Sequence, residues 1–218
     1  MRRGRGVRFA WLARLVGAAL AIYLRLVART CRISGEVSGD QVVLAFWHEF
    51  NMACFVVALA RRRRLRHASF STRGFRGVVI TSMLQRSGSD LRVLPLPAED
   101  DRAAARDFAL RLAGLSRSGR SPVVTPDGPF GPYRVAKPGA LIVARQSGLP
   151  IQPWAVAAHP AIRLTRRWDR QLVPLPFCHI RLAVGPRLHV APRDRLRRRL
   201  PELQAAMDAT TAATARGG

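Results

Sequence analysis

The sequence predicts an α/β domain with a largely parallel central sheet flanked by helices, preceded by an apolar amino-terminal helix. Three observations carry that expectation. From Val42 onward, short β-branched apolar runs alternate with segments of helical periodicity. Several of those helical segments are punctuated as helices should be, with Pro138 opening one and Gly148 closing it. Before them, Phe9 to Cys31 is apolar over the length of a long helix. A chain of 218 residues, 48% hydrophobic, can bury one substantial core.

Taken in order, the amino-terminal segment comes first. Its uninterrupted apolar stretch, Leu15 to Leu24, is short of the ~20 residues a bilayer crossing needs. Arg14, Arg25 and Arg29 interrupt the wider segment and fall within about 60° of one another on a helix. The expectation is a helix lying in a membrane interface, with Trp11, Tyr23 and the aliphatic residues in the acyl region and the arginines at anionic headgroups. A tilted span, a cleaved leader ending near Ala19-Leu20-Ala21, and a helix packed on the core are the other readings.

Strands are expected at Val42–Trp47, Ala68–Ser71, Leu91–Leu96, Pro122–Thr125, Ile151–Ala157, His179–Val184 and Leu188–Val190. Helices are expected near Phe50–Arg62, Arg76–Arg86, Asp101–Ser116, Pro138–Ser147 and Arg193–Ala212. Glu99, Asp100 and Asp101 favour the start of the third of these through its dipole. The chain then divides into a basic membrane-associating segment (1–35), an α/β domain (36–213) and a disordered tail (214–218), the end being small and polar enough to fray.

The formal charge of +24 and pI near 12.0 require an acidic partner: nucleic acid, an anionic membrane surface or an acidic substrate. Lys137 is the only lysine among the 37 basic residues, so part of the charge reflects a general arginine bias, and the run Arg61–Arg64 reads as a solvated helix end. A nucleic-acid role is disfavoured by the 7% aromatic content and by the absence of a recognised nucleic-acid motif. Cys31, Cys54 and Cys178 are odd in number and widely separated, which indicates neither a disulfide framework nor a zinc site.

Three places could carry chemistry. His48 ends the apolar run Val42-Val43-Leu44-Ala45-Phe46-Trp47, at the sheet edge where ligands bind in open α/β folds. An imidazole there can take a proton from a hydroxyl. The loop Thr125–Gly139 holds three glycines, four prolines and the charged Asp127, Arg134 and Lys137. Lys137 precedes a helix whose free N–H groups would add to its charge, a pattern suited to a phosphate or carboxylate. In Ser69–Gly77, Arg73 and Arg76 could grip a phosphate, while Ser69, Ser71 and Thr72 lack the glycine elbow of a nucleophilic serine.

Four blocks in order, AFWHEFN (Ala45–Asn51), VVTPDGPFGPYRVAKPGALIVARQSGLPIQPWAV (Val123–Val156), RRWDRQLVPLPF (Arg166–Phe177) and VGPRLHV (Val184–Val190), resemble the lysophospholipid and glycerol-phosphate acyltransferase superfamily, most closely its branch called domain of unknown function 374. The resemblance runs from about Gln41 to Pro192. It implies transfer of an acyl group from a coenzyme A or acyl-carrier-protein thioester to a hydroxyl of a lysophospholipid or related lipid, at the cytoplasmic face of the cell membrane, without metal or bound cofactor. His48 matches the catalytic histidine, and Asp127-Gly128 stands in place of an acceptor-binding Glu-Gly motif. Arg73 or Arg76 stands where acceptor-phosphate arginines are found. The aspartate usually five positions after the histidine is replaced by Ala53, so another carboxylate must orient the ring, Asp127 first among them. The same gap leaves open a catalytically silent membrane module.

Overall fold

The structure is a computed structural model describing residues 3–37, 39–61, 66–72, 74–88, 90–96, 102–128 and 130–215, with residues 3–8 and 102–105 described by their backbone only. Helix α1 (Arg3–Thr30) leads into a short strand β1 (Arg32–Ser34), and β2 (Val43–Ala45) follows. A single 3-10 turn over His48–Phe50 passes directly into α2 (Asn51–Ala60). The chain continues through β3 (His67–Ser71), α3 (Gly74–Arg86), β4 (Leu91–Pro95), α4 (Arg102–Gly114) and β5 (Ser121–Val124). It ends with α5 (Gly139–Ser147), β6 (Ile151–Arg163), β7 (Leu172–Val184) and α6 (Leu196–Ala213).

The strands form one sheet in the order β1-β7-β6-β2-β5-β3-β4, and every neighbouring pair except β6–β7 is parallel. Two helical layers cover it. Helix α1 packs against both α2 and α3 on one face, and α5 packs against both α4 and α6 in a second group. Strand β3 meets both sides: Phe70 stands edge-on to Phe108 of α4, and residues of the same strand, His67, Ser69 and Ser71 among them, line a cavity beneath α1–α3. The mixed α/β class expected from the alternation is therefore the fold observed.

Differences from the expected elements have physical causes. Strands β6 and β7 run 13 residues each, well beyond the apolar runs that announce them. Only the first residues of β6 pair with β2, so its outer half has a partner on one side, and an edge accepts Pro160, as β7 accepts Pro174 and Pro176. The expected strand at Leu188–Val190 reduces to one bridge between Leu188 and Ile151. Strand β1 is short, polar and at the sheet edge, and lacks a periodic signal. At the start of the tail expected to be disordered, Thr214 is buried and accepts at its carbonyl from Arg181, and Thr210 before it is buried in α6. Residues 216–218, the Glu99–Asp101 start of α4 and Arg62–Arg64 lie outside the described residues.

Helix α1 is docked on the domain and apolar outside as well. Ala13, Gly17, Ala21, Leu24 and Val27 are buried at helical spacing. Gly17 permits a close crossing, since a Cβ there would sit 2.6 Å from the Val79 carbonyl of α3. Arg25 donates to the Ser87 carbonyl at the end of α3, so it is held by the protein. The opposite face exposes Trp11, Leu12, Leu15, Ile22 and Leu26, and Phe9 is exposed one turn before the buried stripe begins. By length and composition, Phe9–Thr30 is apolar enough to cross a membrane, with 28% of its most apolar 18-residue window buried against the domain.

Candidate functional site

The site forms where β2 and β5 end side by side. Ala45 is paired with Val124, and three residues beyond each lie His48 and Asp127. The chain leaves β2 toward α2 on one face and β5 toward α5 on the other, so the two loops part and leave a crevice, the switch point at which open parallel sheets bind ligands.

Local geometry turns Asp127 under the histidine. The Gly128 amide donates to the Thr125 carbonyl and the Lys137 amide to the Pro126 carbonyl, closing a tight turn. Gly128 has φ 63°, which an L side chain rarely adopts, and a Cβ there would press on the Lys137 side chain at 3.1 Å. The Asp127 carboxylate is fully buried. It accepts the His48 backbone N–H at 3.2 Å and faces His48 Nδ1 at 3.0 Å. A carboxylate held by two donors fixes the ring with its proton on Nδ1, leaving the Nε2 lone pair free. Trp168, 5.1 Å away, packs against the imidazole from the other side and lies over Gly131, where a Cβ would meet its ring at 2.9 Å.

Glu49, next to the histidine, anchors the same turn. Its side chain is fully buried and accepts from Tyr133 at 3.0 Å, from Arg163 at 2.5 Å and from Arg134, while its carbonyl accepts from Gln171 at 2.8 Å. These bonds tie the His48–Phe50 turn to the Thr125–Gly139 loop and to the β6–β7 hairpin. Glu49→Ala is expected to lower stability by about 2–3 kcal/mol, toward the low end for a buried pair because both arginines are partly exposed and can rehydrate. Urea unfolding of the detergent-solubilised protein measures it.

A second buried carboxylate, Asp169, also lines the site. Burial alone would raise its pKa, but hydrogen bonds and charge from Arg167, with a smaller contribution from His48, hold it below the usual range. Arg167 grips it with two bonds at 2.8 and 2.9 Å. No short-range pattern in the sequence announced it, because it lies in the turn linking β6 to β7.

A cavity of about 470 Å³ opens at His48 and runs along the sheet beneath α1, α2 and α3. Its walls are mainly Val16, Leu20, Leu24, Phe55, Val79 and Met83, and Phe75, Phe130 and Leu164 are exposed lining residues. Its volume is that of a small-molecule site.

Of the expected site residues, His48 and Asp127 come together, and Arg76 lines the cavity. Arg73 lies outside the described residues. Arg134 and Lys137, the other expected anion-binding residues, lie away from the cavity. Arg134 is engaged by Glu49 with its guanidinium 5.2 Å from the Tyr133 ring centre, Lys137 lies against Gly128, and neither lines the cavity. Among the described residues no group of three His, Cys, Asp or Glu side chains could hold a metal ion. Burial raises all three thiols, Cys31 to about 11, which argues against a thiolate nucleophile.

His67, on the cavity wall, is 6% exposed, and burial pushes its imidazole down to about 4 against the opposing charge of Asp90. The unfolded chain therefore binds a proton that the folded chain refuses between about pH 6.5 and 4, and stability falls as pH drops through that window. The full loss, reached below about pH 4, is on the order of 3 kcal/mol. Thermal melts from pH 7 to pH 4 are expected to show it, and His67→Gln to reduce it.

No family model matches the chain. Over 144 residues it is 26% identical to an uncharacterized protein of Rickettsia prowazekii (strain Madrid E), a stretch amounting to 66% of this chain and 62% of that protein's length.

Proposed function

We propose that the protein is a membrane-associated O-acyltransferase, moving a fatty acyl group from a coenzyme A or acyl-carrier-protein thioester to a hydroxyl of a lysophospholipid or related lipid. One observation carries the reading: the His48–Asp127 pair opens onto a largely apolar cavity of about 470 Å³, walled in part by helix α1. A histidine held by a buried carboxylate is equipped to take a proton, and an apolar channel beside it suits an acyl chain.

In the reaction, His48 Nε2 takes the proton of the acceptor hydroxyl as its oxygen attacks the thioester carbonyl. The tetrahedral intermediate collapses with loss of the thiolate, which recovers the proton from the imidazolium, leaving ester and free thiol. Asp127 holds the ring and stabilises its positive form. Arg76 supplies positive charge for a phosphate of donor or acceptor.

The apolar outer face of α1, with Phe75 and Phe130 near the cavity, suits seating at the cytoplasmic face of the cell membrane, where anionic lipids meet a protein of charge +24. The test is thiol release from acyl-CoA or acyl carrier protein by detergent-solubilised protein, with and without a lysolipid and glycolipid panel. Release that depends on an acceptor supports transfer; release indifferent to every acceptor removes the reading.

A further inference from the structure

The cavity is apolar on its helical side and polar along one strand. On β3, the period of two places His67, Ser69 and Ser71 on the same wall, at intervals of about 7 Å along the strand. Facing them are Val16, Leu20 and Leu24 of α1 with Val79, Ile80 and Met83 of α3. Only Ser71 is satisfied, sharing a hydrogen bond of 2.9 Å with Thr81. Ser69 and the His67 ring have no hydrogen-bond partner among the described residues, although His67 is more than nine-tenths buried. Beside His48, Thr125 is equally buried and its hydroxyl is unpaired.

Unpaired polar groups are costly inside a protein, and a purely hydrocarbon ligand would leave each of them unsatisfied. A neutral imidazole offers one donor and one acceptor, and a serine hydroxyl can do either, so the pair is complementary to an alcohol. We propose that the β3 wall is a subsite for a hydroxyl group borne by the acyl chain itself, with Ser69 and His67 as its partners, so that the cavity selects hydroxylated over plain chains. This rests on reading the cavity as an acyl site. It concerns which chain is held, and none of these residues takes part in the transfer chemistry.

The test is equilibrium binding, which needs no turnover. Palmitate and hydroxypalmitates carrying the hydroxyl at the beta carbon, at mid-chain or at the terminal carbon compete against a fluorescent fatty acid for the detergent-solubilised full chain. At least one isomer is expected to bind about tenfold tighter than palmitate, a modest share of what a buried hydroxyl partner can contribute. Ser69→Ala and His67→Leu should each bring that ratio close to one while leaving palmitate binding in place, and His67→Gln, which keeps a donor and an acceptor, should retain it. The inference is overturned if no isomer exceeds palmitate, or if the ratio is unmoved in both Ser69→Ala and His67→Leu. If no fatty acid competes at all, the acyl cavity and this subsite fall together. A retained ratio in a protein that transfers nothing would overturn the transferase reading alone.

Discussion

His48→Ala is expected to lower the turnover rate of acyl transfer by about a hundredfold to ten-thousandfold, the usual contribution of a positioned general base. The fold should remain, because among the described residues the hydrogen bonds of the ring and its backbone N–H are with Asp127, and that carboxylate keeps the backbone bond after truncation. The lost contact with Trp168 costs packing at one edge of the cavity and leaves its aliphatic walls intact. Donor affinity should therefore change little, so that kcat falls while KM stays within a few-fold. Initial rates at saturating donor, with circular dichroism on the same preparation, separate the two quantities.

Asp127→Asn should cost nearly as much by a different route. The carboxylate presents acceptors to two donors at once, and an amide can satisfy one of them while turning its own N–H groups toward the other. The ring can then bond by the opposite tautomer, which puts a hydrogen on Nε2 and removes the lone pair that would receive the proton. The expected result is a drop in kcat on the order of a hundredfold or more, with a stability loss of about 1–3 kcal/mol from the mismatched buried group. A positioning role is distinguished from a merely structural one by the imidazole nitrogen shifts, which should report the proton moving from Nδ1 to Nε2.

Much of this geometry was legible beforehand because it depends on short-range signals. The run Val42–Trp47 followed by His48 read as a buried strand meeting a loop, and the density of glycine and proline around Asp127 read as a rigid turn. The expected meeting of His48 and Asp127 follows once β2 and β5 are neighbours in equal register. Strand order itself is long-range, which is why Glu49 and Asp169 were missed. The inward turn of Glu49 depends on Arg163, 114 residues away in the hairpin that sequence reading had cut short. The partner of Arg134 is hidden for the same reason, since a guanidinium in a loop looks free until the buried carboxylate beside it is located. Helix α1 illustrates the limit of periodicity. Its Arg14, Arg25 and Arg29 fall on one arc, yet Arg25 is held by α3, and the small-residue stripe through Gly17 sets the packing.

The central claim is that His48, held by Asp127 at the mouth of an apolar cavity, moves an acyl group to a lipid hydroxyl. Its most direct test is the appearance of labelled lipid product when wild type and His48→Ala are incubated side by side with labelled acyl thioester and a panel of lysolipids and glycolipids. Product is expected from wild type on at least one acceptor, and at least a hundredfold less from the variant. Equal product from both, or none from wild type on any acceptor, would contradict it.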